Sequence, residues 1–257
     1  MLSAILDTLF PPVCWVDPAR PAAAGLSDDA RFQIALLAAQ PHCLRCGLTT
    51  GPHEQDHSRK NPCGRCAERT TGLRCTARVG TFSEPLVVLI HKLKFARQWE
   101  VARVLAPFLC HGLTQTAQQS GQPIDALIPV PLHWLRRARR GFNQAEEIAR
   151  ETAALSGHPV IHALTRTRHT AAQARLDSPT ARRENLRHAF RAKPLPALAG
   201  KSVWLIDDVS TTGATLRAAA QSLKRLPREF RPAAISAAVI CITDHAAPPP
   251  QLPELDE

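Results

Sequence analysis

The sequence predicts an α/β protein in which helices cover both faces of a mainly parallel sheet, with a small module in front of it. Short apolar runs alternate with amphipathic helical stretches between about residues 83 and 242, and this alternation is typical of a parallel sheet. The preceding stretch is dense in cysteine, histidine, glycine and arginine, with almost no periodic apolar pattern. Little ordinary core can form there, so something else must hold that stretch together.

Hydrophobic spacing and end signals place the individual elements. A short helical pattern covers Asp29–Ala39, and the next helix starts after Ser83 as N-cap, with Pro85 in its first turn. Its apolar face and that of the following helix consist of Leu86, Leu89, Ile90 and Leu93, then Val101, Val104, Leu105 and Phe108. The later elements are a strand in Ile124–Val130, a helix over Gln144–Leu155 that closes near Gly157, strands at Val160–Leu164 and Lys201–Ile206, a helix over Ala214–Leu226 and a strand at Ala233–Ile242.

Changes in composition divide the chain into four parts. Residues 1–40 form a lead-in, residues 41–80 the cysteine-rich module, residues 81–245 the α/β domain, and residues 246–257 a proline-rich, acidic and disordered tail. No stretch approaches the roughly 18 apolar residues of a membrane span. The apolar opening has no basic region, contains Asp7 and lacks an A-x-A cleavage pattern, so a cytoplasmic protein with reduced cysteines is expected.

The positive charge of the chain narrows the class of partner without naming it. The net charge of +10 comes mostly from arginine, whose planar guanidinium matches phosphate oxygens. A phosphate-rich partner would explain this bias, and so would solubility. Charge alone does not separate the two explanations.

Four cysteines in the module have the spacing of a metal site. Cys43 and Cys46 form one C-x₂-C pair, Cys63 and Cys66 form a second, and sixteen residues separate the pairs. Two such knuckles supply four thiolates to a tetrahedral Zn²⁺, which predicts a structural zinc because no coordination position remains open for substrate. Reduced cysteines without a metal are the weaker alternative, since the segment has too few apolar residues to fold unaided. Other residues are less well placed as ligands: Cys14, His53, His57 and Cys75.

The stretch Val203–Thr215 carries the parts that a ribose-5-phosphate site needs. A short apolar strand delivers Asp207 and Asp208 to its carboxyl end, the edge where open α/β sheets bind ligands. Ser210–Thr212 and Gly213 then lead directly into a helix, so that hydroxyls and backbone N–H groups can surround a phosphate. The two carboxylates can accept hydrogen bonds from ribose 2′- and 3′-hydroxyls and help to hold Mg²⁺ on the diol and a pyrophosphate.

These features predict binding of 5-phosphoribosyl-1-pyrophosphate (PRPP) or a close relative. In the alternative, the acids only end a strand and the hydroxyls only cap a helix, which does not account for the fixed order of the whole string. The predicted ligand-binding residues are Asp207, Asp208, Val209, Ser210, Thr211, Thr212, Gly213, Ala214 and Thr215.

A second strand end lies beside concentrated positive charge. Ile128–Leu132 is followed by arginines at positions 136, 137, 139 and 140 and then by Gly141–Gln144. Such a segment suits a pyrophosphate, because the leaving group carries several negative charges. A solvated basic loop or a nucleic-acid patch explains the same residues equally well.

Three segments resemble known families. Val203–Thr215 resembles the PRPP-binding signature of type I phosphoribosyltransferases, which implies that fold, with its small hood, and ribose contacts from the two acids. Pro129–Ala149 resembles the corresponding run of the ComF family of competence-associated proteins, as does Arg166–Leu176 with the arginines and Ala189–Phe190 that follow it. With the cysteine region, this resemblance spans about residues 41–242, and its segments occur in the family's order.

The ComF resemblance implies roles for further residues. Val130, Pro131 and Leu132 would form the pyrophosphate loop, and Arg168–Arg183 a mobile hood loop that closes over the substrate. Closure suits the chemistry, because displacement of pyrophosphate builds oxocarbenium-like charge that water would intercept. By their charge and polarity, the candidate lid and phosphate contacts are Arg139, Arg140, Arg168, Gln173 and Arg182, although such residues are equally typical of a flexible solvated loop.

Two functions follow from these patterns. The first is a PRPP-binding, phosphoribosyltransferase-like protein of the ComF family, linked to DNA uptake, which transfers ribose phosphate to an unknown acceptor or only senses the ligand. No residue declares itself a general base. The second is a zinc-ribbon interaction protein that binds single-stranded DNA or a DNA-processing partner, with a regulatory or vestigial PRPP site. The arginine groups favour it, whereas 5% aromatic residues argue against extensive base stacking.

Overall fold

The computed structural model describes residues 13–20, 22, 25–50, 63–67, 72–95, 98–167 and 189–244. Their helices are α1 (Asp28–Ala39), α2 (Gly64–Ala67), α3 (Leu86–Phe95), α4 (Val101–Ser120), α5 (Trp134–Arg140), α6 (Gln144–Ser156) and α7 (Ala214–Lys224), with 3₁₀ turns at Pro196–Leu198 and Arg228–Phe230. Their strands are β1 (Thr76–Thr81), β2 (Ala126–Pro129), β3 (Leu164–Arg166), β4 (Phe190–Ala192), β5 (Ser202–Ser210) and β6 (Ala234–Ile242).

Four parallel strands form the central sheet, in the order β1-β6-β5-β2. Strand β5 lies inside the sheet, where Ile206 stands beside Pro129 of β2 and Ala238 of β6. Its residues Val203–Ile206 are fully buried, as expected for a parallel strand that is covered on both faces. Because both neighbours run parallel to β5, its carboxyl end lies in the middle of one sheet edge.

Helices pack on both faces of this sheet. Trp204 and Ile206 of β5 face a core formed with α1, α3, α4 and α6, and Nε1 of Trp204 donates a hydrogen bond of 3.0 Å to the carbonyl of Pro123. The alternate residues Val203 and Leu205 face a second core that includes α7. This two-residue alternation places helices on each side of the strand. The predicted α/β fold with a helix-covered parallel sheet is confirmed.

Most of the predicted elements are present with small shifts at their ends. The predicted helices correspond to α1, α3, α4, α6 and α7, and three of the predicted strands to β2, β5 and β6. Helix α6 closes at Gly157, which has a φ of 74°. The carbonyl of Ser83 accepts a hydrogen bond from Val87 N–H, while its hydroxyl lies 3.1 Å from that of Thr81. No helix in the described ranges is both long and apolar enough to cross a bilayer.

The predicted strand at Val160–Leu164 is wrong, and two strands, β1 and β4, were missed. Val160 makes a single parallel bridge to Leu127 of β2, and β3 begins only at Leu164, where it pairs antiparallel with β4. Pro159 has no N–H to donate, so only a short ladder can form along the edge of β2. Of the missed strands, β4 pairs with β3, and β1 pairs with β6; most of β1 lies in the stretch predicted to be the cysteine-rich module.

Candidate functional site

The carboxyl end of β5 presents two adjacent carboxylates. The N–H of Asp208 donates a hydrogen bond of 2.9 Å to Oδ1 of Asp207, and the N–H of Val209 donates one of 2.7 Å to Oδ1 of Asp208. Asp208 is 9% exposed, and Asp207 is partly exposed. These bonds hold both carboxylates against the backbone of the strand, at the edge where open α/β sheets bind ligands.

Burial changes the acidity of one member of this pair. It raises the pKa of Asp207 to about 8, and the negative charge of Asp208 adds to the effect. The hydrogen bond from the Asp208 backbone and the charge of Lys94 act in the opposite direction. Asp207 therefore holds a proton more readily than an exposed aspartate does. A cation or a donor that bonds to the carboxylate would favour its ionised form.

A lysine from α3 completes the acidic end of the sheet. The ammonium of Lys94 lies 2.8 Å from Oδ2 of Asp208, and the two side chains are only 22% and 12% exposed. Lys94 is not among the site residues predicted from the sequence. Its signal was its spacing, because it lies four residues after Ile90 and seven after Val87, and thus continues the buried face of the helix.

The turn Thr211–Gly213 joins β5 to α7. Gly213 has a φ of 68° and begins α7 without a side-chain capping bond. Oγ1 of Thr212 accepts a hydrogen bond of 3.4 Å from Ala214 N–H. A helix N-terminus of this kind favours an anion through its N–H groups and its dipole. The turn therefore has the backbone arrangement expected of a phosphate-binding segment.

Arg217 reaches back over this turn. Its Nη1 donates a hydrogen bond of 2.8 Å to the carbonyl of Thr212, and a Cβ added to Gly213 would lie 3.4 Å from the same nitrogen. Arg217 is not among the site residues predicted from the sequence. An arginine in the first turn opposes the helix dipole, and that unfavourable position was the signal in the sequence.

The predicted pyrophosphate loop, Val130–Leu132, lies at the same sheet edge. The N–H of Val130 donates a hydrogen bond of 2.9 Å to the carbonyl of Ile206, the residue before Asp207. The buried side chain of Asn143 donates through Nδ2 to the carbonyl of Val130, at 3.1 Å. Asn143 belongs to the run Gly141–Gln144 noted after the arginines, but its contact with Val130 was not predicted. This contact fixes the loop beside the acidic pair.

The residues implied as lid and phosphate contacts fall into two groups. Arg139 and Arg140 lie on α5, the short helix that follows the pyrophosphate loop. Arg168, Gln173 and Arg182 lie outside the described residues. The strands on either side of that segment, β3 and β4, pair antiparallel. The lid stays a prediction.

The four predicted zinc ligands come together. Their Sγ atoms all lie within 4.8 Å of one another. The pairs Cys43 with Cys66, Cys46 with Cys63, and Cys63 with Cys66 are each 3.6 Å apart. A tetrahedral Zn²⁺ with Zn–S bonds of about 2.3 Å holds its sulfurs about 3.8 Å apart. The cysteines are thus placed to hold a metal ion, in agreement with a zinc-ribbon-like module.

The thiols of this cluster influence one another strongly. Hydrogen bonds from Cys46 and Cys66 lower the pKa of Cys43 far below its ordinary value. The resulting thiolate raises the pKa of Cys46 to about 12 and raises that of Cys66 as well. A divalent cation would instead stabilise all the thiolates together, which is the state that a four-sulfur site needs.

The cysteine module and the turn Thr211–Gly213 are neighbours. A small cavity between them is lined by Cys46 and Leu48 on one side and by Ser210–Gly213 on the other. Gly47, with a φ of 75°, fits closely against Ile242 of β6, which pairs with Ser210, the last residue of β5 before that turn. A segment that carries a metal ligand therefore forms one wall beside the turn.

Comparison with known proteins finds relatives over most of the chain, although no protein-family model matches it. The DNA utilization protein YhgH of Escherichia coli O157:H7 is 38% identical over 185 residues, covering 71% of this chain and 78% of that protein. YhgH of Salmonella typhi is 36% identical over the same shares. Competence protein F of Haemophilus influenzae is 32% identical over 205 residues, covering 79% of this chain and 85% of that protein. Identity of this degree over more than two thirds of each chain shows that the protein belongs to the ComF family.

Proposed function

We propose that this protein binds PRPP or a related phosphoribosyl ligand at the carboxyl end of β5. One observation carries the proposal: a buried parallel strand ends in two adjacent carboxylates, and the chain then passes through a hydroxyl-rich turn into a helix N-terminus. Carboxylates accept hydrogen bonds from a ribose diol, and the helix N-terminus suits the 5-phosphate. The proposed contacts come from Asp207–Thr215.

The neighbouring loop supports a ligand that also carries a pyrophosphate. Val130–Leu132 lies beside the acidic pair, anchored by Ile206 on one side and Asn143 on the other. The arginine-rich helix α5 follows directly. In this proposal Mg²⁺ enters with the ligand and neutralises part of the pyrophosphate charge. One sheet edge would then hold the diol, the 5-phosphate and the pyrophosphate of a single molecule.

The cysteine module has a structural role in this proposal. Four thiolates complete a tetrahedral zinc site and leave no coordination position for a substrate. We therefore assign the zinc no part in the chemistry at β5. Its contribution would be to hold the wall that Cys46 and Leu48 form beside the phosphate turn.

The names of the relatives support a role connected with DNA. They are called DNA utilization protein and Competence protein F. We propose that the present protein also acts in the uptake or use of DNA, with the PRPP site as part of that role. Two versions differ in what happens to the ligand: an enzyme transfers its ribose phosphate to an acceptor and releases pyrophosphate, whereas a sensor returns it unchanged.

Calorimetric titration of the zinc-loaded protein with PRPP and Mg²⁺ tests the proposed binding. We expect the wild type to bind and Asp208→Asn to bind at least tenfold more weakly, because a hydrogen bond to a charged group contributes about 1.5–3 kcal/mol. Absence of PRPP binding to the folded wild type would overturn the proposal. Pyrophosphate release in the presence of a panel of bases then separates the enzyme from the sensor.

A second function, binding of single-stranded DNA, is favoured by one exposed feature. Trp134, the first residue of α5, is 66% exposed, and the helix continues with four arginines in the sequence WLRRARR. An exposed aromatic ring next to arginines suits single-stranded nucleic acid, since the ring stacks with bases and the guanidinium groups contact phosphates. The name of the YhgH relatives supports this surface as a second site on the same protein.

Substitution of the exposed tryptophan tests this second function. Stacking of one base on an aromatic side chain contributes about 1–3 kcal/mol, so Trp134→Ala should weaken binding of a fluorescent oligonucleotide by about fivefold or more. Wild-type binding should also fall steeply with added salt. Trp99→Ala, a substitution of a 49% exposed tryptophan outside α5, is the matched control and should bind like the wild type. Undetectable wild-type binding at low salt, or equal binding by both variants, would contradict the proposal.

A further inference from the structure

We propose that Lys94 is the resident cation of the acidic pair, so that the ribose end of the ligand is held without a divalent metal ion. This inference rests on the proposed function, because it concerns the same site. It assigns to the protein itself the positive charge that Mg²⁺ would otherwise supply at Asp207 and Asp208. Mg²⁺ is then confined to the pyrophosphate end of the ligand.

The contacts of Asp208 are the first argument. Lys94 lies 2.8 Å from Oδ2, and Val209 N–H donates to Oδ1 at 2.7 Å, so the protein engages both carboxylate oxygens. A Mg²⁺ ion requires near-ideal octahedral geometry with oxygens at about 2.0–2.1 Å. Direct binding of Mg²⁺ to Oδ2 would place the ion beside the ammonium, and the two positive charges would repel each other.

The burial of Lys94 is the second argument. Leu93 and Ile90, which precede it on α3, are 0% and 2% exposed, so the helix is held firmly against the sheet. The Lys94 and Asp208 side chains are themselves mostly buried. An exposed ion pair would be a weak and replaceable partner, whereas removal of one charge from a buried pair leaves the other without compensation. Lys94 is thus a fixed part of the site.

Two other titratable groups near this pair, Arg78 and Cys241, add no negative charge that would compete for Lys94. Arg78 of β1 is 2% exposed and, like Lys94, acts on the thiol of Cys241 in β6 through its charge. Burial, followed by the charge of Asp208, raises the pKa of Cys241, so that thiol stays neutral. An ammonium also has three donors, so Lys94 can hold Asp208 and donate to a ligand oxygen at the same time.

Ribose 5-phosphate separates the two ends of the proposed ligand, because it carries the diol and the 5-phosphate but no pyrophosphate. We expect its affinity for the wild type to change by less than about twofold when Mg²⁺ is added. In Lys94→Met, metal-free binding should fall by about tenfold or more, and Mg²⁺ should restore part of it. Lys94→Arg keeps the charge and should remain insensitive to Mg²⁺. Lys92→Met, on the same helix, is the matched control and should behave like the wild type.

Several results would overturn the inference. One is a tenfold or larger gain from Mg²⁺ in wild-type binding of ribose 5-phosphate, a measurement that does not require any variant to fold. Equal responses to Mg²⁺ by the wild type and by folded, zinc-loaded Lys94→Met would do the same. Binding of PRPP without any binding of ribose 5-phosphate would also contradict it. Failure of the wild type to bind either ligand would instead overturn the proposed function together with the inference.

Discussion

The cysteine cluster and the carboxyl end of β5 hold polar groups together in opposite ways. Around the cluster, the local core consists of the four cysteines themselves. Under Asp207 and Asp208 lies an apolar strand whose side chains are buried and packed on both faces. Among the residues that the structure describes, the first region is therefore expected to depend on a bound ion for its stability. The second region has a large apolar core of its own, which offsets the unfavourable burial of two carboxylates.

Loss of one cysteine ligand should produce the largest effect in the molecule. Cys63 is fully buried and lies 3.6 Å from both Cys46 and Cys66. Cys63→Ser replaces a thiolate by a hydroxyl, and structural zinc sites have apparent binding free energies of about 10–16 kcal/mol. We expect the bound zinc, measured by plasma mass spectrometry, to be lost together with the fold of the module.

A cysteine outside the cluster provides the control for this experiment. Cys110 lies on α4 and is not among the clustered sulfurs. Cys110→Ser should keep its zinc and its stability within about 1 kcal/mol of the wild type. Retention of zinc by Cys63→Ser would contradict the four-sulfur site.

A substitution at Gly47, where the cysteine module contacts β6, should give the next largest effect. Gly47 follows the ligand Cys46, and a Cβ at this position would clash with the side chain of Ile242. A left-handed backbone costs about 1–2 kcal/mol for a residue with a Cβ, and overpacking adds about 1–3 kcal/mol. Gly47→Ala should therefore lower the free energy of unfolding in urea by about 2–5 kcal/mol. It should also weaken PRPP binding, because Ile242 pairs with Ser210 at the phosphate turn.

A second glycine separates the cost of backbone strain from the cost of a steric clash. Gly157 has a φ of 74°, nearly the same as the 75° of Gly47, but nothing lies within 4 Å of an added Cβ. Gly157→Ala should thus show only the backbone strain, with unchanged PRPP binding. Equal losses in the free energy of unfolding for the two variants would contradict a close contact between Gly47 and Ile242.

The same contrast explains which elements of the fold could be predicted from the sequence. The apolar runs of β5 and β6 and the spacing of the cysteines are local signals, and they predicted the sheet and the cluster correctly. Strand β1 lacks such a signal because Arg78 and Gly80 interrupt it. Its burial depends on distant partners: Arg78 donates a hydrogen bond of 2.9 Å to Thr49, and Gly80 leaves room for Leu37 and Leu86.

The residues of the candidate site divide in the same way. Asp207–Thr215 runs continuously through a strand, a turn and the start of a helix. The order of its residues was therefore enough to predict it as a candidate site. Lys94 meets Asp208 only after α3 packs against the sheet, and Asn143 meets Val130 only after the chain has passed through α5. Such pairings arise from tertiary packing, and spacing along one sequence does not report them.

Replacement of Asp207 should give the smallest change in stability, and one of opposite sign. Burial raises the pKa of its carboxyl to about 8 in the folded protein, against an ordinary value of 3.8. Between these values the folded state binds more protons than the unfolded state, so wild-type stability falls as the pH rises. Asp207→Asn removes this proton uptake and keeps an oxygen that can accept the bond from Asp208 N–H. The variant should therefore gain on the wild type as the pH rises from 4 to 8.

Urea unfolding of both proteins across this pH range measures the difference. At pH 8 we expect Asp207→Asn to be about 0.5–2 kcal/mol more stable than the wild type, the usual gain when a strained functional group is removed. Near pH 4 the difference should shrink, because the pH then approaches the ordinary value of 3.8, where the unfolded carboxyl also takes up a proton. A difference that stayed constant with pH would contradict the raised pKa. If the more stable variant also lost PRPP binding, the carboxylate would be retained for its ligand at the expense of stability, unlike the cysteines, which serve the fold itself.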